Sequence, residues 1–149
     1  MAQAQQLPNL MKDEKYGSAD QIMALPAAKL VTLLQDSGAS TYAKAKACMR
    51  LAVAGGTSAV PAIAPLLADA QLSSYARFAL EPNPDPSASD ALRAALATAK
   101  GTMLIGIINS IGHRRDAKAL AALEKLRHDP DLEVVRAADA AMGRIRPAL

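Results

Sequence analysis

Aromatic side chains are nearly absent. Tryptophan does not occur, phenylalanine occurs once and tyrosine three times, so aromatics make up 3% of the 149 residues. That excludes a core centred on large rings and leaves little for the base stacking that single-strand nucleic-acid binders use. A single cysteine, Cys48, excludes an internal disulfide and a cysteine-based zinc site. The two histidines, His113 and His128, stand 15 positions apart and lack the His-Glu-x-x-His spacing of a metal-binding helix. No paired carboxylates sit in an apolar neighbourhood, where acid/base chemistry needs them. Gly55-Gly56 is not followed by the Lys-Ser/Thr of a phosphate loop. The apolar run at residues 103–108 has six residues, against the roughly 20 a membrane-spanning helix needs. Charge is not lopsided either: 17 basic against 14 acidic residues give a net +3, too mild to imply nucleic acid. Residues 1–25 lack the basic start and apolar stretch of a secretion signal. Ala2-Gln3-Ala4 has the small-x-small form that ends a removed leader, so the compartment stays open.

What is present is alanine and repetition. Hydrophobic residues are 51% of the chain and charged ones 21%, the balance of a globular domain. Alanine has the highest helix propensity and lets helices approach closely. The chain also matches itself: residues 58–69 return sixty positions later as residues 118–129. Val60, Ile63 and Leu66 align with Leu120, Leu123 and Leu126, and each copy ends in Asp. Two units of about thirty residues are a solenoid period.

Helical periodicity covers most of the chain after residue 25. Eight helices are expected at about residues 26–35, 41–53, 58–68, 72–80, 87–98, 102–111, 115–127 and 132–145. Leu30, Val31, Leu33 and Leu34 form the inward stripe of the first. Ala43, Ala47, Leu51 and Val53 form that of the second, and Ala91, Leu92, Ala95 and Leu96 that of the fifth. Pro61 and Pro65 make the third irregular. Residues 81–86, with three alternating prolines, read as an extended connector. The sixth is apolar nearly all round and so is expected to be central. Gly106 would allow close packing there, and Gly112 would end it. Residues 1–22 are polar and aperiodic and read as a tail or docking arm, leaving 23–149 as one domain.

The clearest unit runs through Ala119-Leu120-x-x-Leu123-x-x-Leu126, then Asp129-x-Asp131-x-Glu133-Val134-Val135-Arg136-x-Ala138-x-x-Ala141-Met142-Gly143-x-Ile145. It resembles HEAT repeats, whose units read leucines, Asp turn, Val-Arg, Ala, Ala, Leu-Gly-x-Ile; Met142 is the departure. Residues 69–79, with Tyr75-Ala76-Arg77-x-Ala79, are a looser match. HEAT units of this kind include short bacterial forms related to phycobilisome-lyase-type repeats. Residues 43–52, 75–82 and 106–117 look like a HEAT-repeat module of environmental bacteria, which often accompanies secreted or periplasmic sugar-processing and haem-binding domains. The resemblance implies an all-α, right-handed solenoid of about four helical hairpins without strands. It also implies a non-enzymatic module for a partner protein or larger assembly. An accessory subunit of a sugar-oxidising or cofactor-attaching enzyme is the alternative, and a nucleic-acid-binding HEAT protein a weaker one.

In such solenoids the second helix of each hairpin lines the concave face. On that geometry the candidate partner-binding residues are Lys46, Arg50, Tyr75, Arg77, Asn109 and Arg136, with Asp139 beside them. Arg77 and Arg136 hold equivalent repeat positions, where HEAT arginines commonly pair with an Asp of a neighbouring turn. Lys44, Lys46 and Arg50 otherwise read as a solvated basic face, and Asn109-Ser110 as a helix-end pair or part of the groove. Cys48, between Ala47 and Met49, reads as a small core side chain rather than a nucleophile. His113-Arg114-Arg115-Asp116 looks like the kinase catalytic triplet, but the other kinase elements are missing; it reads as a charged hairpin turn. No catalytic, metal or cofactor residue is expected.

Overall fold

A computed structural model describes residues 11–146. The described residues are mostly helical, with 70% helix and 3% strand. Two short strands, β1 (Lys12–Asp13) and β2 (Gly17–Ser18), pair antiparallel. Nine α-helices follow among the described residues: α1 (Ala19–Met23), α2 (Ala27–Gln35), α3 (Thr41–Ala54), α4 (Val60–Ile63) and α5 (Ser73–Leu80), then α6 (Pro86–Ala95), α7 (Gly101–His113), α8 (Leu120–Leu126) and α9 (Leu132–Ile145). Tight 3₁₀ turns flank α4 at Thr57–Ala59 and Ala64–Ala68 and precede α8 at Ala117–Ala119.

The expected tail is in part built into the fold. The Asp13 carboxylate, 4% exposed, accepts the amides of Lys15, Tyr16 and Ser40, each at 2.8 Å. Ser18 and Gln21 form a reciprocal capping box that starts α1, whose Ile22 is fully buried. Asp36 accepts from Lys15 Nζ at 2.7 Å and from Tyr16 Oη at 2.6 Å, tying the hairpin to the end of α2. Residues 11–22 are thus part of the body, and the expectation of no strands fails at β1 and β2. The rest of the expected tail, residues 1–10, lies outside the described residues.

The third expected helix is broken by its prolines. Pro61 and Pro65 each sit in the first turn of a new segment, because neither can donate to the turn before it. The sixty-residue repeat nevertheless gives matching local structure. Ala59 and Ala119 each end a 3₁₀ turn and are fully buried, as are Ile63 and Leu123. Asp69 and Asp129 each accept, at 2.8 Å, the amide two residues on.

The helices form two layers. The α4 segment lies against α2 and α6; α3 packs on α5, α5 on α7 and α7 on α9, and each of these touches the helix before it in sequence. The second-layer helices, α3, α5, α7 and α9, run side by side in one direction. At the starts of α3 and α5, Thr41 Oγ1 donates to Gln71 Oε1 at 3.3 Å. At their ends, Ala52 and Val53 share a cleft with Glu81 and Pro82. Beyond the end of α7, Arg114 reaches the carbonyl of Leu80, which ends α5. The Arg144 guanidinium on α9 lies 2.6 Å from a ring nitrogen of His113. α7 is central, as its sequence implies: Leu104, Gly106, Ile107, Ile108, Ser110, Ile111 and Gly112 are buried. Gly112 does not end the helix, which runs on to His113. It is a glycine because a Cβ there would come within 2.9 Å of Ala141 Cα on α9.

Candidate functional site

On α3, Lys46, Arg50 and Val53 fall at i, i+4 and i+7 and share a stripe; on α5, Ser74 and Phe78 do the same, and on α7 Thr102, Ile105 and Asn109. These stripes lie opposite the buried Ala47 and Leu51, Ala76 and Ala79, and Ile107 and Ile111. Each is exposed or half-buried along its length. Side by side on parallel helices, they make one continuous face.

The candidate residues separate on this frame. Lys46 stands 5.5 Å over the ring of Tyr42, one turn earlier, which holds it against its own helix. Arg50 is exposed and makes no ion pair among the described residues. Tyr75 is half-exposed and Asn109 exposed, both toward solvent. Arg77 turns inward instead. Its Nη1 donates to the Gly106 carbonyl at 3.2 Å and to Ser110 Oγ at 3.5 Å, across the α5–α7 contact. Arg136 is exposed and pairs with Glu133 on its own helix at 2.9 Å. The two arginines therefore differ in environment, and among the described residues neither pairs with an Asp of a neighbouring turn. Asp139 is engaged by Arg127 at 2.8 Å. Lys46, Arg50, Tyr75 and Asn109 belong to the second-layer face; Arg77 lies beneath it, and Arg136 is at its far end.

Apolar residues on this face are the ones that spacing had assigned inward or passed over. Val53, expected in the core, is 79% exposed, because the turn that buries Leu51 carries position 53 to the opposite side. Phe78, the only phenylalanine, is 54% exposed. With Ala52, Glu81 and Pro82 they line a cleft of about 460 Å³ where α3 and α5 end. Its sequence signal is legible: Ala76, Ala79 and Leu80 define the buried side of α5, and position 78 falls away from it.

The remaining motif residues have packing roles. Arg114, after the last turn of α7, donates to the carbonyls of Leu80 at 3.0 Å, Glu81 at 2.9 Å, Asp85 at 3.2 Å and also Asn83. Its Nε–H reaches Ser89 Oγ at 2.7 Å. Burial pushes its pKa below the ordinary arginine value, with Asp116, Glu81 and Asp85 opposing. Arg115 occupies the left-handed region at φ 53°, and Asp116 caps the turn that follows. Residues 113–116 are thus the charged turn the sequence implies, with Arg114 also fastening the proline-rich connector. That connector is not fully extended: Asp85 caps α6 and Pro86 opens it. Cys48 is fully buried, and burial pushes its thiol up to about 12, so it stays protonated at neutral pH.

No family model matches the chain, and no curated protein matches it either.

Proposed function

We propose that this chain is a non-enzymatic α-solenoid module of the HEAT type that binds a partner protein on the second-layer face. The observation that carries the reading is the exposed apolar pair Val53 and Phe78, set around a cleft on a face that also presents Arg50. A monomeric surface scatters single apolar residues, whereas clustered ones with a polar rim mark interfaces. Arginine and aromatic residues are the types enriched at interface hot spots. The layered hairpins, the matched sixty-residue units and the parallel second helices support a solenoid whose face is continuous. The partner chemistry that fits is an apolar side chain inserted beside Phe78, with an acidic group placed near Arg50.

The test compares Phe78→Ser and Arg50→Glu with an outer-layer control, Lys118→Glu/Lys125→Glu, after circular dichroism shows all three folded. Each immobilised protein is incubated with extract of the source cells, and retained proteins are identified by mass spectrometry. The reading expects a protein held by wild type and control, lost with Phe78→Ser and weakened by Arg50→Glu in a salt-dependent way. A partner lost only with the control, or held equally by all, overturns it.

A further inference from the structure

Among the described residues five large apolar side chains are exposed: Met11, Val53, Tyr75, Phe78 and Leu132. Val53 and Phe78 flank the second-layer cleft. Leu132 stands apart from them, at the first position of α9, and is 66% exposed. At the matching start of α5 both Leu72 and Ser73 are buried, at 2% and 4%. Leu132 is thus uncovered where its counterparts in the earlier unit are covered, and covering it would take apolar surface out of water.

The two apolar spots sit in opposite charge. Leu132 follows Asp129-Pro130-Asp131 and precedes Glu133. Asp129 and Asp131 each give one oxygen to a backbone amide, at 2.8 Å and 2.9 Å. Neither pairs with a cation among the described residues, whereas Glu133 is engaged by Arg136. The turn therefore presents an apolar knob beside two uncompensated carboxylates. Arg50, one turn before Val53 on the α3 stripe, has no ion pair among the described residues either. Glu81, the carboxylate that lines the cleft, is attracted by the nearby Arg114 guanidinium. The knob cannot fill the cleft of its own chain. Leu132 opens α9, whereas Val53 and Phe78 lie where α3 and α5 end, and these helices run in one direction. Three interhelix spacings of roughly 8–10 Å each also separate α3 from α9.

We propose that the cleft takes Leu132 of a second copy of this chain, head to tail, with Asp129 and Asp131 facing Arg50. This contact rests on the partner-binding reading of the same face and gives that partner an identity. The two surfaces differ, so the contact is heterologous. A copy filled at its cleft still offers a free knob, and assembly goes on to a ring or an open chain. One leucine anchor with a charged rim makes a small contact of the weak class, with a Kd of order 10–100 μM.

The test is sedimentation equilibrium of the full chain at concentrations spanning that Kd. The average mass should rise with concentration and pass that of a dimer. Leu132→Ser and Phe78→Ser each change a side chain exposed in the single copy, so both should keep the wild-type circular dichroism spectrum and stay monomeric. An equal mixture of the two should associate again but stop at a dimer, since one intact cleft and one intact knob remain between them. Arg50→Glu should associate about tenfold more weakly, and added salt should weaken the wild type. A monomer at every concentration overturns the proposal, as does a mixture that stays monomeric or association unchanged in Leu132→Ser. The partner-binding reading has its own arm. In the extract assay the protein retained should be the chain's own native copy; a different protein, lost with Phe78→Ser, would keep that reading while head-to-tail assembly fails.

Discussion

Arg114 shows how much one side chain can do in a molecule with so few aromatics. Its guanidinium gathers carbonyls from the end of α5 and the proline connector. Those of Leu80 and Asp85 also accept backbone amides, from Asn83 and Ala88, but those of Glu81 and Asn83 have no other partner among the described residues, and removing Arg114 leaves both unpaired. Arg114→Ala should therefore cost of order 3 kcal/mol or more in urea unfolding. Arg114→Lys should recover only part of that, because an ammonium cannot serve a planar fan of acceptors. Equal stability of wild type and Arg114→Ala would show the carbonyls to be satisfied by water. None of this was legible beforehand, since sequence identifies His113-Arg114-Arg115-Asp116 as a turn but not the partner 30 residues upstream. Ser18-Ala19-Asp20-Gln21 is the opposite case: a capping box was written in the sequence and was masked by the polarity around it. Among the candidate residues, spacing placed Arg50 and Asn109 on the exposed face. It could not separate Arg77, which turns inward onto a glycine.

Helix positions were readable wherever apolar periodicity was strong, as in α2, α7 and α9. They were misread where local chemistry outweighed period. Prolines split the α4 segment, and Val53 followed its helix round to solvent. α7 is the element on which the packing turns. Placing a charge at Ile108, fully buried, should cost several kcal/mol, of order 3 or more, and leave Ile108→Asp largely unfolded by circular dichroism. Gly112→Ala is the finer probe. Its added methyl meets backbone at 2.9 Å, so α7 and α9 must separate, at a cost of about 1–3 kcal/mol in thermal or urea unfolding. A neutral Gly112→Ala would mean that the two helices slide freely past each other.

At the scale of the whole molecule, three aspartates hold joints between elements, and all three are shifted the same way. Burial pushes the Asp13 carboxyl up, but hydrogen bonds from Ser40, Tyr16 and Lys15 outweigh it and hold it at about 2. Ser87 and Thr57 hold Asp85 at about 2. The Lys15 ammonium and the Tyr16 hydroxyl keep Asp36 well below the usual carboxylate range. A depressed folded-state pKa means that the unfolded chain binds the proton first. The stabilisation is thus present above the ordinary value of 3.8 and is lost as pH falls toward 2. Urea midpoints should be flat near neutrality and drop between about pH 4 and pH 2, with a shallower drop in Asp13→Asn. An unchanged slope in that variant would show Asp13 to be solvated in the folded chain. Joints of this kind also bear on how such a molecule can be cut and rejoined. The matched sixty-residue units suggest hairpins that could be deleted, duplicated or exchanged like beads. Arg114 contradicts that picture, because it is encoded after the pair α6–α7 and closes the end of the pair before it, α4–α5. A chain stopped at His113 would keep every residue of α4–α5 and still lose its closure. That unit is therefore whole only when the entire α6–α7 pair and the residue after it are carried along.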